Sequence, residues 1–189
     1  IIDDAEFLPS SEKKYNTTIY NETLAHLAKV ISEFKPDVLG LCEVENKGVL
    51  IDLCSTLKAM GLDNYEVSHE DSPDKRGIDV AYIYNSTLVN PIELVEHYVT
   101  LEGEPDFATR DIIQLTAQVA DDTLYFFANH WPSRSGGQAA SNYKRVAAAR
   151  TLYYAPEALR NKHPTAHMIT MGAFNDEPFN ERIAKRLKS

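Results

Sequence analysis

The spacing of apolar residues changes along this chain, and that change restricts its fold more than any other feature. Apolar residues recur at helical spacing from about Thr17 to Phe34, and again from about Lys47 to Met60. The continuously apolar run 38–42 between them is typical of a strand buried on both faces. Farther on, the period becomes two, which predicts half-buried strands. The predicted strands cover residues 65–69, 77–84, 92–99, 111–119 and 124–129.

The last third of the chain returns to helical and apolar patterns. A helix is predicted over 138–154, with Pro156 expected to break or kink it. A buried strand is predicted over 168–172 and a closing helix over 179–187. This order, in a single domain over residues 1–189, favours a mixed α/β sandwich of sheets flanked by helices over a doubly wound parallel sheet.

Composition and charge restrict the kinds of partner that this chain can bind. The chain has 28 acidic and 19 basic residues and a formal net charge of −9. Proteins that bind long nucleic-acid duplexes usually present a basic face, so the acidic balance counts against a non-specific binder of long nucleic acids. No apolar run approaches the roughly 18 residues that a membrane span needs. Cys42 and Cys54 lie in apolar patterns that favour two buried thiols. We expect the protein to be a monomer.

Two acidic residues lie on predicted strands at positions where a carboxylate must reach solvent or have a partner. Glu43 closes the apolar run, where a carboxylate is costly unless it reaches solvent, is paired or holds a metal ion. Mg²⁺ takes one or two protein carboxylates and fills its other positions with water and phosphate. Asp79 alternates with apolar residues on one face of its strand, so it either faces water at an edge or has a His or Arg partner.

Two polar segments follow predicted strands farther along. In the segment 129–137, His130 can donate to a phosphate oxygen or act as an acid, and Arg134 can form a forked contact with a phosphate. A lone histidine here is more often structural, but His, Arg and a Gly pair together favour function. In the segment 171–178, Asn175 can orient a water or bind a phosphoryl oxygen, or can belong to an ordinary polar turn.

Four segments, which contain Glu43, Asp79, His130 and Asn175, together resemble the endonuclease/exonuclease/phosphatase superfamily. The motifs that carry the resemblance are Asn129-His130-Trp131-Pro132-Ser133-Arg134, Gly172-Ala173-Phe174-Asn175-Asp176, Arg76-Gly77-Ile78-Asp79 and Cys42-Glu43-Val44-Glu45-Asn46. The chain is most similar to the bacterial branch that has the Asn-His-Trp-Pro-Ser-Arg loop. The resemblance implies a four-layer fold, in which two packed mixed β-sheets lie between outer helices, and a phosphoesterase that uses Mg²⁺ or Mn²⁺.

The resemblance also implies a role for individual residues. Glu43 matches the metal-binding glutamate, and His130 matches the phosphate-contacting histidine of the phosphodiesterase branch. Asp79 falls near the acid that steadies this histidine in some relatives, and Asn175 matches the asparagine beside the attacking water. The expected phosphate contacts are Asn129, Arg110 and Arg134.

Three departures from the family pattern bear on activity. The family motif Gly-Asp-Phe-Asn reads Gly172-Ala173-Phe174-Asn175 here, so the aspartate that would activate water or help to hold the metal is missing. An active-site asparagine is expected before residue 1 and an Asp-His pair after residue 189, so we expect the chain to cover the middle of the family domain. Ala173 is compatible with an inactivating substitution, a natural pseudoenzyme or an active variant compensated elsewhere.

Three functions remain open from the sequence. The first is a phosphoester hydrolase whose substrate is a nucleic acid or a small phosphorylated molecule. The second is a non-catalytic module of the same fold that binds a phosphoester or a protein, which Ala173 favours and the retained Glu43, His130 and Asn175 oppose. The third is a plain structural domain, which would make all four motifs coincidental.

Overall fold

The computed structural model of the chain describes residues 10–11 and 15–177. In that part ten helices and strands follow one another in the order that the hydrophobic pattern predicts. They are α1 (Thr17–Phe34), β1 (Val38–Val44), α2 (Lys47–Ala59), β2 (Tyr65–His69), β3 (Asp79–Asn85), β4 (Val89–His97), β5 (Ile112–Val119), β6 (Asp122–His130), α3 (Asn142–Lys162) and β7 (His167–Ala173).

The strands form two sheets that pack face to face. One is antiparallel with the order β1-β3-β2, and the other has the order β4-β5-β6-β7, in which the β6–β7 pair is parallel. Three buried clusters separate four layers. One cluster lies between the first sheet and helices α1 and α2, one between the sheets, and one between the second sheet and α3. The predicted four-layer mixed sandwich is therefore confirmed.

Strand β3 shows how the period of two builds these layers. Ala81 and Ile83 face the helices, while Val80, Tyr82 and Tyr84 face the second sheet, as the alternation predicts. All five side chains are buried because β3 is the central strand of its sheet. Burying a large apolar side chain contributes about 1.5–3 kcal/mol, so this strand is a main source of stability.

Local signals explain where helix α1 begins and ends. The side-chain oxygen of Asn16 accepts hydrogen bonds from the backbone N–H groups of Thr18 and Ile19, which caps the first turn. Lys35 adopts a left-handed conformation, with φ of 46°, and ends the helix. The predicted bounds of this helix are confirmed.

The structure corrects the prediction for the long helix. Helix α3 starts later than expected and runs through Pro156 to Lys162. A proline inside a helix removes one backbone hydrogen bond. Here Ala155 and Leu159, on either side of the proline, both pack against the cluster beneath α3. That packing explains why the helix continues.

The last described strand was predicted to be buried, and this prediction is wrong. Strand β7 is mostly exposed because, among the described residues, it pairs only with β6.

Strand β4 begins and ends a few residues before its predicted bounds, and β1 is half-buried because it is an edge strand. The predicted closing helix over 179–187 lies outside the described residues.

Two further expectations concern cysteines and membranes. Cys42 and Cys54 were expected to be buried, but both are half-buried free thiols. Burial raises the pKa of Cys54 to about 11. Within residues 15–177, each helix is too short or too polar to cross a bilayer.

Candidate active site

The polar motifs gather at one end of the sandwich, where several strands terminate. Strands β6 and β7 run parallel, so both present their carboxyl ends there, and His130 lies in register with Ala173. The backbone N–H of Trp131 donates to the Ala173 carbonyl at 2.9 Å. Strand β1 of the other sheet ends opposite them with Glu43 near its last residue. Long-range packing therefore joins three of the four sequence motifs, and the fourth lies beside them because Asp79 pairs with Val44.

A β-bulge directs Glu43 into this end of the sandwich. The pairing between β1 and β3 shifts register between Cys42 and Val44, and Glu43 has a φ of 60°. Bulges of this kind re-aim a side chain at the cost of local ladder pairing. The Glu43 side chain is 69% exposed, and its Oε1 lies 3.9 Å from His130 Nε2. An exposed carboxylate is thus held beside a histidine from the opposite sheet.

His130 is buried between these elements, with 8% of its surface exposed. Its Nδ1 has no hydrogen-bond partner among the described residues. Burial lowers the pKa of His130, the guanidinium of Arg110 lowers it further, and the Glu43 carboxylate opposes both. The neutral imidazole is therefore favoured, with Nε2 facing Glu43 and the open end of the site.

Asn175 follows β7 and lies against the His130 segment. Its Nδ2 donates to the Trp131 carbonyl at 2.8 Å, and its backbone has a φ of 50°. Its own carbonyl accepts a hydrogen bond from Arg134 Nε at 3.0 Å. The amide nitrogen fixes the side chain, which leaves the amide oxygen as the atom suited to orient a water.

The three predicted phosphate contacts are largely engaged within the protein. Arg110 is buried and donates to the carbonyls of His130 and Trp131 and to the carboxylate of Asp74. The Asn129 side chain donates to two strand carbonyls and accepts from the Trp131 indole. Arg134 lies within 4.0 Å of two acids after β7. Their present contacts fit a role in shaping the loops.

Asp79 has a histidine partner, and the partner is His69 rather than His130. Asp79 Oδ2 lies 2.9 Å from His69 Nε2, and Oδ1 accepts from the backbone N–H of Ser72 at 2.8 Å. The exposed Asp71 approaches His69 to 3.9 Å. These three residues are close enough to share a cation, although the His–Asp hydrogen bond by itself accounts for the buried pair. His69 was not among the predicted site residues, although its position at the end of a predicted strand was a usable signal.

Asp111 is a buried acid near this pair, with 1% of its surface exposed. Neither carboxyl oxygen has a hydrogen-bond partner among the described residues. Burial raises the pKa of Asp111 to about 7, and the charges of Glu96 and Asp79 add to the rise. The folded protein therefore retains this proton at pH values where the unfolded chain releases it.

The raised pKa predicts how an Asp111→Asn variant changes stability with pH. A group whose pKa is raised by folding stabilises the protein below its unfolded pKa, and that contribution is lost as pH rises through the folded value. We expect the free energy of unfolding of the variant, relative to that of wild type, to rise by about 1.4 kcal/mol between pH 6 and pH 8. Urea unfolding at the two pH values measures it, with the exposed-site variant Asp121→Asn as control. An unchanged difference would contradict the raised pKa.

Comparisons with known proteins identify the family and the fold. The sequence profile of the Endonuclease/Exonuclease/phosphatase family matches residues 1–189. A search of curated proteins finds no match. Among solved structures, the human Nocturnin catalytic domain with bound sulfate has a TM-score of 0.68 at 17% identity and covers 90% of this chain and 62% of its own.

Two other structures have the same fold. TDP2 from D. rerio complexed with a single-strand DNA product has a TM-score of 0.64 at 15% identity and covers 90% of this chain and 59% of its own. A mannosyl-6-phosphatase from Bacteroides thetaiotaomicron has a TM-score of 0.66 at 16% identity and covers 88% of this chain and 62% of its own. The chain thus matches about three fifths of the length of each of these proteins. With the profile match over residues 1–189 and the shared fold, the chain belongs to the endonuclease/exonuclease/phosphatase family.

Proposed function

We propose that this chain is part of a divalent-metal-dependent phosphoric ester hydrolase that cleaves its substrate by in-line attack of water. One observation carries the proposal: Glu43 and His130, from opposite sheets, meet at 3.9 Å beside position 173. An acid that suits a hard cation and a histidine that suits a phosphate oxygen are the parts that such a reaction needs.

Glu43 fits the carboxylate ligand of Mg²⁺ or Mn²⁺. Its side chain is mostly exposed, and the bulge at the end of β1 fixes the direction in which it leaves the strand. A solvent-facing carboxylate leaves room for the waters and phosphate oxygens that complete the shell of such an ion. When bound, the cation would withdraw charge from a phosphoryl oxygen in the transition state.

The neighbouring residues supply positioning and hydrogen bonds. His130, held neutral by burial, donates from Nε2 to a non-bridging phosphate oxygen. Asn175, fixed by its bond to the Trp131 carbonyl, orients the attacking water through its amide oxygen. The backbone bond from Trp131 to Ala173 keeps the ends of β6 and β7 together. These contacts hold the reacting groups in place before substrate arrives, which lowers the entropic part of the barrier.

Ala173 supports the alternative function, a non-catalytic module that binds a phosphoester. Its methyl group lies beside His130 and cannot take a proton from water or bind a metal ion. A protein with this residue keeps groups that bind a phosphoester and lacks the base that the family motif supplies. The same site then binds a phosphorylated ligand with slow turnover or none.

The similar structures support a phosphorylated or anionic ligand for the fold. Nocturnin was solved with a sulfate anion, TDP2 with a single-strand DNA product, and the Bacteroides protein is a mannosyl-6-phosphatase. Both a phosphodiester and a phosphomonoester therefore fall within the proposed substrate range.

Metal binding tests the proposal without requiring turnover. We expect Glu43→Gln to weaken Mn²⁺ binding about tenfold or more, because the charged ligand atom is lost while the shape is kept. Titration of Mn²⁺ followed by electron paramagnetic resonance measures the affinity. Glu45→Gln, two residues farther along and also exposed, is the matched control. Equal Mn²⁺ affinity for wild type and Glu43→Gln would reject Glu43 as the ligand.

A further inference from the structure

The loop between β2 and β3 carries two exposed cations, Lys75 and Arg76. The loop turns on Asp74, whose carbonyl accepts from the backbone N–H of Gly77 at 2.8 Å. One carboxylate oxygen of Asp74 accepts from the backbone N–H of Arg76 at 3.1 Å and lies 3.6 Å from Arg76 Nε. Arg76 is thus held at its backbone, while 54% of its side chain remains exposed.

Asp74 in turn ties this loop to the candidate active site. Its second carboxylate oxygen accepts from Arg110 Nη1 at 3.0 Å, and both side chains are nearly buried. Arg110 also donates from Nε to the His130 carbonyl at 3.2 Å and from Nη2 to the Trp131 carbonyl at 2.9 Å. A short chain of charged hydrogen bonds therefore runs from the carbonyls at the end of β6 to the backbone of Arg76.

The strand register agrees with this placement. Arg76 precedes Asp79 by three residues, and Asp79 pairs with Val44, the residue that follows Glu43. Arg110 is shielded, with three of its nitrogens donating to protein acceptors. Arg76 has the exposure and the guanidinium fork that phosphate recognition needs.

We propose that Arg76 binds a non-bridging oxygen of the substrate phosphate and that the site thereby favours a phosphomonoester over a phosphodiester. This inference rests on the proposed function. A phosphomonoester has three non-bridging oxygens, and the site offers three separate partners for them: the cation position at Glu43, the Nε2 of His130 and the guanidinium of Arg76. A phosphodiester has two such oxygens and one negative charge, so one partner is left without an acceptor.

A pair of phosphonate probes tests this assignment on the chain as it is. Phenylphosphonate has three non-bridging oxygens, and its monomethyl ester has two. Binding of each probe in saturating Mg²⁺ is measured by ³¹P NMR titration, with circular dichroism to confirm folding. We expect wild type to prefer phenylphosphonate, and Arg76→Ala to bind it about tenfold or more weakly while binding of the ester changes less than about threefold.

Two further variants sharpen the result. Lys75→Ala removes the adjacent exposed cation and is expected to change both affinities less than about twofold. Arg76→Lys keeps the charge without the fork and is expected to recover part of the lost affinity.

Each negative result of this experiment leads to a different conclusion. An Arg76→Ala variant that keeps the wild-type preference overturns this inference and leaves the proposed function intact. An equal loss for both probes overturns the monoester assignment. A wild-type protein that binds neither probe in Mg²⁺ rejects the proposed function, and this inference falls with it.

Discussion

An Ala173→Asp variant is expected to hydrolyse phosphate esters with Mg²⁺ about 10²- to 10⁴-fold faster than the wild-type chain, the range that a positioned general base contributes. Position 173 lies in register with His130 on the neighbouring strand, and neighbouring strands lie about 4.8 Å apart. A carboxylate there would enter the space beside His130 and Glu43, where it can accept a proton from water or join the cation's ligands. The residue is exposed, so the larger side chain displaces solvent rather than core.

The assay is made in the complete family domain, and it compares bis-(p-nitrophenyl) phosphate and p-nitrophenyl phosphate, with and without Mg²⁺. Ala173→Asn is the matched control, because it has the same shape as aspartate and cannot act as a base at neutral pH. Adding Glu43→Gln to Ala173→Asp should remove the gain. If the aspartate variant is folded and inert towards both esters, the non-catalytic binding module becomes the better description of this chain.

A Gly172→Ala variant is expected to lose about 3 kcal/mol or more of folding stability, which is the other large effect. A Cβ at this position would lie 2.0 Å from the carbonyl oxygen of Asn129 on the paired strand. Its φ of 130° is also a conformation that residues with a Cβ rarely adopt. Asn129 is fully buried and its carbonyl oxygen also accepts from the Cys42 thiol, so it has no room to withdraw. The clash and the strain therefore add.

Urea unfolding followed by circular dichroism measures this loss, and Gly103→Ala is the control. Gly103 also has a positive φ, of 80°, but a Cβ there meets nothing within 4 Å. Its alanine variant should lose only about 1–2 kcal/mol from backbone strain. Equal losses for the two variants would show that the close contact between β6 and β7 does not decide the effect.

The fold was predictable where short-range signals act alone. The period of two in β3 predicted which of its side chains share a face, and the helical spacing of apolar residues predicted the bounds of α1. The same reasoning failed for Pro156, because tertiary packing on both sides of the proline outweighs one lost helix bond. It also failed for the burial of β7, because apolar character does not reveal whether a strand is central or at an edge.

In the candidate site, the sequence by itself determined the chemical groups and their order along the chain, because motifs such as the His130 loop are local. The tertiary structure decided which groups meet. It brings Glu43 to His130 through a bulge, pairs Asp79 with His69, and joins Arg110 to Asp74, which is 36 residues away. A hydrogen bond forms with whatever acceptor the packed sheets place within reach. Partners far apart in sequence are therefore fixed by how the two sheets pack, which no short stretch of residues encodes.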